Sequence, residues 1–187
     1  MRAYLSTDVE ATLALGVFLG RHLPAGTVMT LDGDLGTGKT TLVRGIGLGL
    51  GVEDDITSPT YMLMQAYEDG RVPLYHFDAW MEGREKALLA DGADEFLGAT
   101  GIAVVEWGSR VLEWLPVPRL EVQLGHRTPE ERTVKIALVR HEGRLQEALE
   151  GALNAVLTGL GAPGAVPGLV PLKNGRSAEP FPGSTVS

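Results

Sequence analysis

The sequence predicts an α/β fold, a three-layer sandwich in which a central mixed sheet lies between helices. Segments of helical spacing alternate along the chain with short strand-like runs, the pattern of a sheet covered by helices. One run, Ile102-Ala103-Val104-Val105, is apolar throughout, as a strand covered on both faces is. A late pair, Leu120–Leu124 and Val134–Leu138, alternates with period two and suggests half-exposed antiparallel neighbours, which makes the sheet mixed.

In chain order, Thr7 followed by Glu10 has the form of a capping box and predicts a helix start. Leu13, Ala14, Val17 and Phe18 continue at helical spacing until Pro24-Ala25-Gly26 stops the helix. Thr27 to Leu31 reads as a strand that feeds a glycine-rich turn. A second helix starts near Lys39, with Leu42, Val43 and Ile46 on one side. Gly45, Gly47 and Gly49 each cost this helix about 1 kcal/mol relative to alanine. Gly45 and Gly49 share a face, which predicts close approach to a sheet, and Gly51 is the expected stop. Asp54 to Tyr61 is a polar, proline-punctuated loop. Tyr61–Tyr67 and Val72–Phe77 read as a hairpin about Asp69-Gly70. Glu85–Leu97 reads as one helix, or two interrupted at Gly92, and Arg110–Leu115 as a short helix ended by Pro116. Leu145, Ala148, Leu149, Ala152, Leu153, Val156 and Leu157 form the apolar stripe of a last helix. From Gly159 on, five prolines and six glycines predict a disordered tail over 159–187, leaving 1–158 as the folded domain.

Composition narrows the function. The chain has 187 residues, a single domain's worth, and no cysteine, which excludes disulfides, thiolate catalysis and Cys-ligated zinc. Neither a signal-peptide run nor the ~20 apolar residues of a membrane span is present, so the expectation is a cytoplasmic protein with no membrane partner. The net charge is −8, and residues 53–106 alone carry twelve acids against three bases. An acidic surface repels a phosphate backbone, which argues against independent binding of nucleic acid.

The glycine-rich turn carries the chemistry. Gly33 to Thr40 fits G-x-x-x-x-G-K-[ST], the loop whose backbone amides cradle phosphates, and places the fold among P-loop NTPase-like sandwiches. Gly33, Asp34, Leu35, Gly36, Thr37, Gly38, Lys39, Thr40 and Thr41 are therefore the expected nucleotide-binding residues. Lys39 can reach the β- and γ-phosphates, the Thr40 hydroxyl can ligate Mg²⁺, and the helix dipole adds positive potential. Hydrolysis also needs carboxylates, which in open α/β sheets sit at the carboxyl ends of strands. Asp78 and Glu106 occupy such positions; the alternative for each is a strand-end acid that faces water or caps a helix, and it is weaker for Glu106, whose strand reads as central. Thr57-Ser58-Pro59-Thr60 supplies hydroxyls where a switch loop would lie, and Trp80 and Trp114 read as packing residues.

These blocks together resemble a known family. Gly33 to Thr41 with Leu42-Val43-Arg44-Gly45, then Ser58-Pro59-Thr60-Tyr61, His76-Phe77-Asp78 and Val105-Glu106-Trp107, are similar to the TsaE (YjeE) family over roughly residues 1–158. These are small bacterial ATPases of tRNA threonylcarbamoyladenosine biosynthesis. The resemblance implies that Lys39 and the loop amides bind ATP and that Thr40 and Glu106 serve Mg²⁺. It implies that Asp78 is a further ligand or positions water, that Ser58-Pro59-Thr60 is the switch loop, and that Trp107 stacks in the site. It further implies that the protein is not the transferase but works with two larger proteins, meeting tRNA only through them. The sequence departs from the family where Asp78 is followed by Ala79-Trp80-Met81-Glu82 rather than the usual D-x-Y-R continuation, and in its extra tail.

Two other classes share the loop. A kinase of small molecules or nucleosides brings several cations over the transferring phosphate, and residues 53–106 offer only Arg71, Arg84 and Lys86. A nucleotide-gated binding module would hydrolyse ATP negligibly alone, and it shades into a partner-dependent ATPase.

Overall fold

The computed structural model describes residues 1–81, 83, 96–97, 100–140 and 147–172. In chain order these form β1 (Arg2–Ser6), α1 (Val9–His22), β2 (Val28–Asp32), α2 (Lys39–Leu50), β3 (Met64–Tyr67), β4 (Leu74–Asp78) and β5 (Ile102–Glu106). Two 3-10 turns follow, Gly108–Arg110 and Leu112–Trp114, then β6 (Arg119–His126), β7 (Arg132–Val139), α3 (Glu147–Leu160) and β8 (Leu169–Pro171). The strands make one eight-stranded sheet in the order β3-β4-β5-β2-β6-β7-β1-β8. β4, β5, β2 and β6 run parallel, whereas β3, β7, β1 and β8 pair antiparallel with their neighbours. The expected mixed α/β sheet is therefore the observed one, and β6 and β7 form its late antiparallel pair.

Alternation along the central strands divides the core. Met29, Leu31, Ile102 and Val104 pack with Leu15 and Leu19 of α1, Ile46 of α2 and Leu153 of α3. Val28, Ala103, Val105 and Phe77 face the opposite way, against Val111, Leu115 and the half-buried Phe96 and Leu97. Every residue of β2, β4 and β5 is buried, as strands covered on both sides must be. Each fully buried Leu or Val contributes about 1.5–3 kcal/mol relative to exposure.

Several elements differ from expectation for identifiable reasons. Asp8, not Thr7, caps α1: its carboxylate accepts from Ala11 N at 2.6 Å, while Thr7 donates to Asp8 Oδ2 at 2.9 Å. β3 starts at Met64 rather than Tyr61, because Leu63 has a positive φ of 67° that breaks the extended run. The expected helix over Arg110–Leu115 is replaced by the two 3-10 turns. β1 shows no alternation clear enough to mark it beforehand.

The largest correction concerns the tail. α3 continues through Leu160, Val166 is buried in the core, and β8 pairs with Tyr4–Ser6 of β1. Thr7 N donates to Gly168 O at 3.1 Å and Leu172 N to Ala3 O at 2.9 Å. The glycines here are turn formers: Gly164 and Gly168 have φ values of 74° and 70°. Arg84, His141, Leu145, residues 173–187 and the expected helix over Glu85–Leu97, apart from Phe96 and Leu97, lie outside the described residues.

Gly45 and Gly49 of α2 face α1, not the sheet, whereas Gly47 faces Ile56 and Leu74. A Cβ on Gly45 would lie 2.2 Å from Leu13 O, and one on Gly20 would lie 2.2 Å from Ile46 O, so the two backbones touch. Alanine at Gly20 would favour helix by about 1 kcal/mol. Forcing the helices apart nevertheless makes Gly20→Ala net destabilising by about 1–3 kcal/mol, read from the urea midpoint. An unchanged or raised midpoint would mean that the helices do not need this closeness.

Candidate nucleotide site

The phosphate loop is shaped by backbone that side chains rarely adopt. Gly33 has φ of 139°, and a Cβ there would fall 2.2 Å from Leu124 O. Gly38, at φ of 99°, is the N-cap of α2 and, being glycine, makes no side-chain cap to the first turn. Thr37 Oγ1 donates to Asp34 O at 2.8 Å and fastens the curl. Lys39 Nζ donates to Gly33 O at 2.6 Å and to Asp34 O at 3.0 Å, and lies 3.7 Å from the centre of the Trp107 ring. Burial lowers the Lys39 ammonium from its usual range, against the opposing pull of Glu106, Asp32, Asp78 and Asp34.

The carboxylates come from the parallel strands. Register sets Asp78 opposite Glu106 and Glu106 opposite Leu31, and alternation with Leu74 and Leu31 turns both acids toward the α2 side. Glu106 Oε1 accepts from Thr40 Oγ1 at 2.8 Å, and His76 Nε2 lies 3.0 Å from the same oxygen. Asp78 Oδ2 accepts from Ser58 Oγ and Thr60 Oγ1, each at 2.6 Å, and Asp78 Oδ1 accepts from Trp80 N at 2.8 Å. The hydroxyl loop is thereby tied to one acid and the phosphate-loop helix to the other.

Among the residues expected at the site, Leu35, Gly36, Gly38, Lys39, Thr40, Thr41, Thr60, Asp78, Glu106 and Trp107 line one cleft of about 430 Å³. Gly33, Asp34 and Thr37 do not line it; the first two hold Lys39 through their carbonyls, and Thr37 braces the loop. Ser58 and Trp80 complete the wall. Trp80 is thus no core packing residue: it is 43% exposed, and its ring centre lies 4.4 Å from that of Trp107. Arg110 Nη1 donates to Trp80 O at 2.9 Å and its guanidinium covers the Trp80 ring.

Asp32 and His76 were not singled out by the residue pattern. Asp32 ends β2 immediately before the loop, and its Oδ1 accepts from Ser109 N at 3.0 Å, joining the loop root to the turn after Trp107. Its position at a strand end is the same signal that marks Asp78 and Glu106. Burial raises the Asp32 carboxyl above its usual value, opposed by the Ser109 hydrogen bonds and by Lys39.

The donor set suits a hard divalent cation accompanied by phosphate. Thr40 donates its proton to Glu106, which leaves hydroxyl lone pairs free to face a cation. Among the described residues no group of three or more His, Asp or Glu could cage a metal. Mg²⁺ commonly takes one or two protein oxygens and completes its shell with phosphate and water, so Thr40, Glu106 and Asp78 fit it.

The family model of the threonylcarbamoyl adenosine biosynthesis protein TsaE matches residues 6–134. The chain belongs to the TsaE family. That stretch holds every residue of the TsaE-family cleft, whereas α3 and β8 lie beyond it. The TsaE of Treponema pallidum (strain Nichols) is 37% identical over 133 residues, covering 71% of this chain and 98% of that protein. The TsaE of Bacillus subtilis (strain 168) is 37% identical over 135 residues, covering 72% and 84%. The TsaE of Nostoc sp. (strain PCC 7120 / SAG 25.82 / UTEX 2576) is 44% identical over 107 residues, covering 56% of this chain and 66% of that protein. Among solved structures, the crystal structure of Bacillus subtilus YdiB superposes with a TM-score of 0.68 at 28% identity, covering 83% of this chain and 93% of that one. TsaE-family proteins take part in tRNA threonylcarbamoyladenosine biosynthesis. No helix among the described residues is long and apolar enough to cross a membrane.

Asp32 yields a prediction about pH. Burial holds its folded pKa above the ordinary carboxylate value, so between the two the fold keeps a proton that the unfolded chain has released, and stability falls as pH rises through that window. Asp32→Asn keeps an acceptor for Ser109 and removes the disfavoured charge. It is expected to raise the urea midpoint at pH 7, with the gain fading as pH drops toward 4. A gain independent of pH would refute the assignment.

Proposed function

We propose that this chain is the ATP-binding and ATP-hydrolysing component of threonylcarbamoyl modification of the adenosine next to the anticodon in tRNA. It acts with two larger partner proteins in the cytoplasm and is not itself the transferase. The single observation that carries this reading is the hydrogen bond from Thr40 to Glu106, which joins the phosphate loop to a strand-end acid across the sheet.

The chain's residues divide the work. The amides from Gly33 to Thr41 receive the phosphates, and Lys39 exchanges the carbonyls of Gly33 and Asp34 for phosphate oxygens. Asp78, gripped by Ser58 and Thr60, is aimed into the cleft as the carboxylate that orients water. Changes in the hydroxyl loop would reach the reacting end through these two bonds. Trp107 and Trp80 wall the site. Mg²⁺, held through Thr40 with Glu106 and Asp78 beside it, would neutralise charge on the phosphates.

The charge distribution supports contact with tRNA through partners rather than directly. It also disfavours a kinase. Arg71 donates to Gly20 O and Leu23 O, so this base is engaged in the fold away from the cleft. Arg84 and Lys86 lie outside the described residues.

A reconstituted tRNA modification reaction, run with and without this chain, tests the reading. Lys39→Ala is expected to lower partner-stimulated ATP turnover by about a hundredfold or more, and modification with it. Equal modification by Lys39→Ala and wild type would end the proposal. Transfer of the γ-phosphate to a nucleoside would favour the kinase instead.

A further inference from the structure

We infer that His76 is a positioning residue for this site: it fixes the rotation of the Glu106 carboxylate, so that one oxygen is held by protein and the other is presented to the bound nucleotide and its cation. The inference deepens the ATPase reading and rests on it.

His76 is completely buried. It lies opposite Val104, and Glu106 is two residues further along β5, so the two side chains are diagonal neighbours on the α2 side of the sheet. Nε2 lies 3.0 Å from Glu106 Oε1, the oxygen that also accepts from Thr40. Because its partner there is a carboxylate, Nε2 is the ring nitrogen that donates. Two donors on Oε1, one from the sheet and one from α2, define the carboxylate plane. Among the described residues no hydrogen bond reaches Oε2.

The other ring nitrogen decides between a packing role and a positioning role. Nδ1 is buried with no partner. An apolar side chain, such as Leu74 one step back on the same face, would fill space here without leaving a polar atom unpaired. The strands need no further tie either, since β4 and β5 already pair from Leu74↔Ile102 to Asp78↔Glu106. What histidine adds is the donor on Glu106. Thr40 sits in the first turn of α2, beside the loop that must accept phosphate. His76 is anchored in the sheet, so its grip on Glu106 does not depend on how that loop adjusts.

The test compares wild type, His76→Leu and His76→Gln, since a glutamine amide can place a donor near the position of Nε2. ADP binding is followed by tryptophan emission across a magnesium titration, alongside partner-stimulated ATP turnover and thermal melting of the nucleotide-free protein. His76→Leu is expected to melt no lower than wild type and to bind ADP normally without metal. It should raise the magnesium needed for half-maximal tight binding, and lower kcat, by about ten- to a hundredfold, with KM little changed. His76→Gln should recover most of both losses. An unchanged magnesium requirement and kcat in His76→Leu would overturn the inference, as would equal losses in both variants that track a lowered melting temperature. If wild type itself showed no magnesium-dependent ADP binding, the ATPase reading would fall first and this inference with it.

Discussion

The parallel register of β4, β5 and β2 puts Asp78 beside Glu106 and Glu106 beside Leu31, one residue before β2 ends at Asp32 and the phosphate loop begins. Both acids thus leave the sheet at the edge where the loop curls back into α2. A slip of one residue would turn each side chain to the opposite face, among Val111 and Leu115, and detach Thr40 from Glu106. Strand order sets the lateral spacing as well. β5 lies between β4 and β2, so the hydroxyl loop held by Asp78 and the helix held by Glu106 close on one cleft from two sides.

Charge is concentrated in this small volume. Lys39, Asp32, Asp78 and Glu106 are all buried, yet each has partners in place. Burying an ion without partners is far costlier than burying one that is hydrogen-bonded. Lys39 is satisfied by two carbonyls and an aromatic face, so phosphate binding is an exchange of partners. The Trp107 backbone contributes too. Its positive φ of 59° swings the chain away from β5 directly after Glu106 and leaves the indole under the lysine.

What could be read in advance was whatever depends on local spacing. The phosphate loop announces itself because glycines, a lysine and a hydroxyl are needed at fixed offsets. Asp78 and Glu106 were visible as acids ending apolar runs. Gly45 and Gly49 show how far this goes: their spacing marked a face of close approach, but only the tertiary arrangement shows α1 rather than the sheet against it. His76 was legible as a residue and illegible as a contact, since its bond to Glu106 requires the β4–β5 register. Arg119 and Glu121 likewise form a buried 2.8 Å pair that two charges in an alternating strand do not foretell. Between 159 and 172 the prolines and glycines belong to a turn-rich return to the sheet, which composition alone does not distinguish from a loose end.

That return has a consequence for the behaviour of the molecule in crowded solution. β8 lies along the flank of β1 that is not occupied by β7 and satisfies backbone groups between Ala3 and Ser6. A chain cut at Leu160 would leave those amides and carbonyls bare, a template on which a second copy could add its own strand. The carboxy-terminal extension beyond the matched family segment therefore covers the five-residue β1 and leaves only the three-residue β8 as the sheet's edge on that side, away from the cleft.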